Sequence, residues 1–188
     1  MSPAVLGIDP SLTSTGICHA DGSTSLIVPG KLTGCERLVF IRDRIRPLID
    51  AVDVVVIEAV PTHGAMSIAP LAGLGAVIRV AAHEAGIPYV DVSPSTRAKF
   101  ACGDQKSRDK DAVLARAIRA GSSANSNDEA DAWWLWRIGT AAYEPTEGLH
   151  GYQLEALSGI AWPAIHGHQP TPAPPKPKSK KQPKGTNP

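Results

Sequence analysis

The run DVVVIEA, residues 53–59, constrains the fold more than any other stretch of this chain. Val54 to Ile57 are β-branched without a polar alternation, so the strand they form must be covered on both faces. Such strands belong to sheets with helices on each side, and their parallel neighbours are joined by helical crossovers. The flanking sequence supplies those helices. Upstream, TGCERLVFIRDRIRPLID opens with a capping-box pattern, Thr33 to Glu36, and carries Leu38, Ile41, Ile45, Leu48 and Ile49 at helical spacing with an arginine-rich outer face. Downstream, residues 67–84 are dominated by Ala, Leu, Gly, Val and Ile, with Pro70 near the first turn. A helix apolar on nearly all sides is buried in a core or in a subunit interface.

The remaining elements follow from shorter signals. Apolar runs at 4–8, 15–20 and 24–28, separated by turn residues at 10–14 and around Asp21-Gly22, predict a three-strand antiparallel meander. IPYVDV, 87–92, predicts another strand, and helices follow at 94–101 and 108–120, the second stopped by Gly121. SNDEADAWWLWRIGTAAY is a strong helix with a second capping-box pattern, Ser126 to Glu129, and its Trp133, Trp134 and Trp136, which could stack on bases, are expected rather to pack it onto the sheet. The order βββ-α-β-α-β-α-α gives an α/β layer fold with a mixed sheet.

A chain of 188 residues suits one domain with a full core. No apolar run approaches the roughly 18 residues of a bilayer span, and no basic n-region and apolar h-region mark the N-terminus for export. A cytoplasmic protein without membrane contact is expected. Cys18, Cys35 and Cys102 lack CxxC spacing and are expected to be small buried hydrophobes rather than a disulfide framework or a zinc site. Residues 169–188 hold five lysines, seven prolines and no acid, which leaves 14 basic against 18 acidic residues in 1–168, a net of −4. This stretch predicts a disordered cationic tail whose natural partner is an anionic polymer, although a solubilising role accounts for it equally well.

Four acids carry the chemistry. Asp9 and Glu58 end apolar strands, and Asp128 and Asp131 lie in the first turns of the last strong helix. Singly, each has a structural explanation: a turn before Pro10, a loop past the strand, a helix-dipole contact, a surface pair. Jointly they tip the balance toward a functional site. Asp128 and Asp131, at i and i+3, share one helix face, and in open α/β sheets functional groups collect at strand ends beside helix termini. Converging carboxylates repel unless cations neutralise them. Oxygen donors without His or Cys select Mg²⁺ or Mn²⁺, and two such ions about 4 Å apart suit in-line attack on a phosphodiester. Lys99, Lys106, Arg108 and Lys110, in or beside a Gly/Asp/Ser-containing loop, are candidate phosphate contacts, or else a solvated charge cluster with Asp104, Asp109 and Asp111.

GIDPSLTSTG, VVVIEAV, SPSTRAKFACGDQKSRDKDAV and NDEADA occur in the order and at the spacings of the RuvC family of Holliday-junction resolvases, and the chain resembles that family over roughly residues 3 to 142. The resemblance implies an RNase H-like nuclease domain at 1–142, a C-terminal extension at 143–168 and the tail at 169–188. It implies metal-dependent cleavage of four-way DNA junctions, with Asp9, Glu58, Asp128 and Asp131 as catalytic metal ligands. Lys99 and Lys110 match the family's basic residues near the scissile phosphate. A homodimer, joined through the helix at 68–84, is implied as well. The family's aromatic wedge after the second acid is missing, since Pro61 and His63 stand in its place. That departure points to broader selectivity, for forks, flaps or other branched DNA, and with the long tail it fits phage or prophage relatives.

Two other classes compete. A resolvase-like fold could grip branched DNA without cutting, against which the presence of all four acids speaks. GIDPSLTSTG also resembles the first phosphate loop of actin-like ATPases and sugar kinases, but those need a second nucleotide-binding half, for which 188 residues leave no room. Deleting 169–188 should weaken DNA binding and flatten its salt dependence, because up to about five lysine–phosphate pairs go with the tail. An unchanged slope of log affinity against log salt would reduce the tail to a solubility device.

Overall fold

A computed structural model describes residues 2–60, 68–103, 109–144, 147–165 and 167–171. Its elements in chain order are β1 (Val5–Asp9), β2 (Thr15–Cys18), β3 (Thr24–Ile27), α1 (Gly34–Ile49), β4 (Val54–Glu58), α2 (Ile68–Glu84), β5 (Tyr89–Val92), α3 (Pro94–Cys102), α4 (Lys110–Arg119), α5 (Asn127–Tyr143) and α6 (Gly151–Ser158). The strands form one mixed sheet in the order β3-β2-β1-β4-β5. Its β1–β2 and β2–β3 pairs are antiparallel, whereas β1–β4 and β4–β5 are parallel. This is the RNase H-like α/β arrangement expected from the sequence.

Strand parity decides what each face carries. Along β1 and β4, Leu6, Ile8, Val55 and Ile57 pack with Ile41, Ile45 and Ile49 of α1 and Leu74, Ile78, Ala81 and Ala82 of α2. Val5, Val54 and Val56 face the other way and join Ala132, Leu135 and Ile138 of α5 and Phe100 of α3. Both faces of β4 are therefore dry, as its unbroken β-branched run requires. The odd residues of β1 and the even residues of β4 look toward α5. Asp9 and Glu58 have those parities.

Helix α5 lies unusually close to the sheet. A methyl group on Gly7 would overlap the Ala132 carbonyl oxygen, one on Gly16 would overlap that of Asp128, and one on Gly139 would meet Val5 Cγ1 at 2.6 Å and Val56 Cγ2 at 2.7 Å. The helix backbone thus rests on strand backbone. Trp133 and Trp134 are buried, with Trp134 Nε1 donating to the Val113 carbonyl at 3.3 Å and its ring edge-on to Phe100 and Trp133. Trp136 is partly buried against the same core. The tryptophans pack the helix, as expected.

Residues beyond α5 belong to the same packed body. Ala156 and Leu157 of α6, with Ile165, join the α5-side core, and Tyr143 Oη donates to the Pro163 carbonyl at 2.9 Å. Among the described residues, no helix is long and apolar enough to cross a membrane.

Two local expectations are corrected. Thr33 precedes α1 but its side chain makes no cap bond, because Gly34 enters the helix at φ +52° and turns the chain away from capping-box geometry. Cys35, in the first turn of α1, is exposed, while Cys18 is buried and Cys102 half-buried. The pattern at Ser126 is half realised: its Oγ accepts from Glu129 N at 3.2 Å, but the Glu129 carboxylate accepts from Asn125 N at 3.0 Å, one residue before the cap.

Gly7→Ala or Gly16→Ala should cost about 3 kcal/mol through overpacking against backbone that cannot yield, lowering Tm by roughly 6–12 °C. Thermal unfolding of the two variants checks this, and an unchanged Tm would mean that α5 is not seated on β1 by backbone contact.

Candidate active site

Three elements bring the acids together. The β1–β4 register pairs Ile8 with Ile57, so the next residues, Asp9 and Glu58, are neighbours at the carboxyl ends of parallel strands. Both point to the α5 face. Helix α5 begins at the same edge, with the Asp128 carbonyl against Gly16, and its i+3 residue Asp131 is buried beside them. The short turn after Asp9 closes on itself: Ser11 Oγ accepts from Thr13 N at 3.3 Å and Ser14 N at 3.2 Å, and Thr15 Oγ1 donates to the Ser11 carbonyl at 2.7 Å. Those hydroxyls serve the turn rather than a phosphate.

A fifth residue, which no sequence pattern singles out, sits in the middle. Val92 pairs with Glu58, and Ser93 then caps α3 by accepting from Thr96 N at 3.1 Å, so that Arg97 in the first turns of α3 reaches back to the strand ends. Its Nε donates to Glu58 Oε1 at 2.6 Å and its second nitrogen pairs with Asp131 Oδ1. The three side chains are 11%, 16% and 10% exposed, which makes these pairs largely shielded from solvent. The only hint in the sequence is an arginine placed just after a strand-to-helix switch, and most such arginines are solvated.

Electrostatics follow from crowding. Burial pushes the Asp9 carboxyl well above the ordinary range, the neighbouring Glu58 raises it further through charge and hydrogen bonding, and Arg97 only partly opposes them. Asp131 is raised to about 6, first by burial and then by Glu58 and Asp128, against the lowering effect of Arg97 and Lys110. Burial alone would depress the Arg97 guanidinium, but Glu58 and Asp131 outweigh it and leave its pKa raised. With all four carboxylates ionised the site would exceed Arg97 and Lys110 by two negative charges, and the raised Asp9 and Asp131 carboxyls answer that crowding by holding protons more tightly.

Similarity searches then bear on the arrangement. No family model and no curated protein matches the sequence. Among solved structures, one described as the Thermus thermophilus RuvC structure aligns with 72% of this chain and 96% of its own, at 21% identity and a TM-score of 0.56. T. thermophilus RuvC in complex with Holliday junction substrate aligns with 70% of this chain and 89% of its own, at 19% identity and a TM-score of 0.54. The chain has the RuvC fold.

On that RuvC fold the remaining predicted residues separate. Lys110, exposed at the first position of α4, is close enough to Asp131 to pull its pKa down. Lys99, two residues past Arg97 and hence on a different side of α3, is instead paired with Glu155 of α6, Nζ to Oε1 2.6 Å. Lys106 and Arg108, like Pro61 and His63 at the wedge position, lie outside the described residues. Asp128, half-buried, stands one turn before Asp131, and next to it Asn127 Oδ1 is buried without a hydrogen-bond partner.

The donor set fits a hard divalent cation by chemistry and charge: carboxylate oxygens, a negative surplus and one internal cation already drawn in. Among the described residues, no three acidic, histidine or cysteine side chains close around a single point as they would around a metal ion. Arg97 spans two of the acids instead.

Because the folded state raises Asp131 from 3.8 to about 6, it holds a proton more tightly than the unfolded chain does, and this contribution to stability is lost as pH rises through that interval. In EDTA the protein should lose on the order of 3 kcal/mol from this group between pH 4 and 7. Asp9→Asn, which removes a second carboxylate raised by burial, should raise the metal-free Tm, with a gain that grows over the pH range above the ordinary carboxylate value. Equal Tm values for variant and wild type across that range would show that Asp9 is not raised.

Proposed function

We propose that this protein is a divalent-metal-dependent, structure-specific endonuclease that cuts branched DNA, four-way junctions among its substrates. The observation that carries the reading is the register: adjacent parallel strands end in Asp9 and Glu58 on the one face that receives Asp131 from α5. Nothing in the packing of a core calls for three acids there. The RuvC fold, which in T. thermophilus has been captured with a Holliday junction, supports the choice of substrate.

In this reading Asp9, Glu58, Asp128 and Asp131 hold Mg²⁺ or Mn²⁺, two ions by likeness to the family. Held by these residues, such ions would supply activation of a water and stabilisation of a leaving oxygen. The protein's part is rigidity and charge. Two carboxylates are fixed by the central strands and two by a helix whose backbone is seated on that sheet, so their spacing changes little when DNA arrives. Lys110 approaches from α4 with an exposed side chain whose ammonium can meet the phosphate backbone beside the acids. The face of α2 turned from the core, with Ala69, Ala72, Ala76 and Val80 exposed, is the surface proposed for a homodimer that would set two such sites against one junction. Binding of branched DNA without cleavage is the second reading, favoured by the ion-paired closure of the site around Arg97.

A panel of labelled four-way, three-way and flap DNA, incubated with Mg²⁺ or Mn²⁺, separates the two. Wild type should cleave at least the four-way substrate, while Asp9→Asn and Glu58→Gln should lose cleavage by orders of magnitude and still bind. Identical background cutting by wild type and Asp9→Asn would sink the nuclease and leave the binding module.

A further inference from the structure

We infer that Arg97 is a built-in competitor for the metal site: its guanidinium occupies the place of a cation between Glu58 and Asp131 and must leave those carboxylates before a divalent ion can be held by them. The inference rests on the metallonuclease reading and adds to it a residue that sets metal affinity.

Three observations carry it. The guanidinium engages two of the proposed ligands at once, through separate nitrogens, and all three side chains are shielded from solvent. A Glu58 oxygen and an Asp131 oxygen are thereby taken up in charge-assisted hydrogen bonds rather than left open for an ion. The acids accordingly do not close around one point among the described residues, although their strand register and helix spacing have already gathered them.

The fold also explains why Arg97 is there. Without metal, the acids would confront one another in a poorly hydrated site, and an uncompensated buried charge is strongly destabilising. Arg97 is held at the site from α3, whose start is fixed by Pro94 and the Ser93 cap, while its long side chain has several rotatable bonds through which the guanidinium can withdraw. A structural brace and a competitor make opposite predictions. A brace that aligns the ligands strengthens metal binding, so its removal weakens it. A competitor weakens metal binding, so its removal strengthens it.

The test uses full-length protein stripped with EDTA and titrated with Mn²⁺ alone, followed by calorimetry and by thermal unfolding. Arg97→Gln should lower the metal-free Tm, bind Mn²⁺ about tenfold or more tightly than wild type, as expected when a positive charge a few ångströms from the ion is removed, and show the larger Mn²⁺-induced rise in Tm. Arg97→Lys, which keeps the charge but reaches fewer oxygens, should fall between the two. Weaker or unchanged Mn²⁺ affinity in Arg97→Gln overturns the inference and makes Arg97 a brace. Should that variant not fold, wild type answers alone: the Arg97 Nε–H resonance, identified by its absence from Arg97→Lys, should lose exchange protection on addition of Mg²⁺, and retained protection with metal bound overturns the inference. Asp9→Asn is the control for the underlying reading. If wild type binds Mn²⁺, Asp9→Asn does not and Arg97→Gln is no tighter, only the competition falls; if neither wild type nor Arg97→Gln binds Mn²⁺, the metallonuclease reading falls and the competition with it.

Discussion

Everything at the proposed site depends on the backbone contact between α5 and the sheet. Gly7, Gly16 and Gly139 have no side chain to hold the helix off, so α5 lies directly on β1 and β2. A helix standing a side chain's width further away would carry Asp131 out of reach of Glu58, and Arg97 could not join them. The same closeness makes the site poorly hydrated, which is what raises Asp9 and Asp131 and draws a guanidinium inward. Packing density here is an electrostatic variable. It sets the dielectric in which the carboxylates meet.

Much of this was legible in the sequence because it is written in periodicities. The unbroken run at Val54–Glu58 can only be a strand covered on both sides, and the i, i+3 spacing of Asp128 and Asp131 can only place them on one face of a helix. Those local rules put two acids at strand ends and two on one helix face, while the β1–β4 register decides which strand ends lie side by side. Arg97 was not legible in that way. Its partners are set by the β4–β5 register and the cap at Ser93, facts about which strand lies beside which, and nothing adjacent in sequence reveals them.

The same distinction explains Lys99, whereas the capping residues show a local pattern failing for a local reason. Lys99 reads as a phosphate contact or a solvated charge, and its partner Glu155 comes from α6, a segment beyond the recognisable motifs. Thr33 and Glu36 have the spacing of a capping box, but the backbone dihedral at Gly34 overrides the pattern. Wherever a side chain's role depends on a residue brought from far along the chain, composition and spacing are silent.

Parity has a further consequence for how such a site can change over time. Asp9 and Glu58 face α5 only because each sits an even number of residues from a core valine on the same strand, Val5 and Val56 respectively. Inserting or deleting one residue within either strand would turn its acid into the dry layer of isoleucines beneath α1, abolishing the ligand and burying a charge in a single step. There is no intermediate length at which the site works poorly and can be improved. The strands can drift in composition but not in length, and indels that spare the acids must fall outside them.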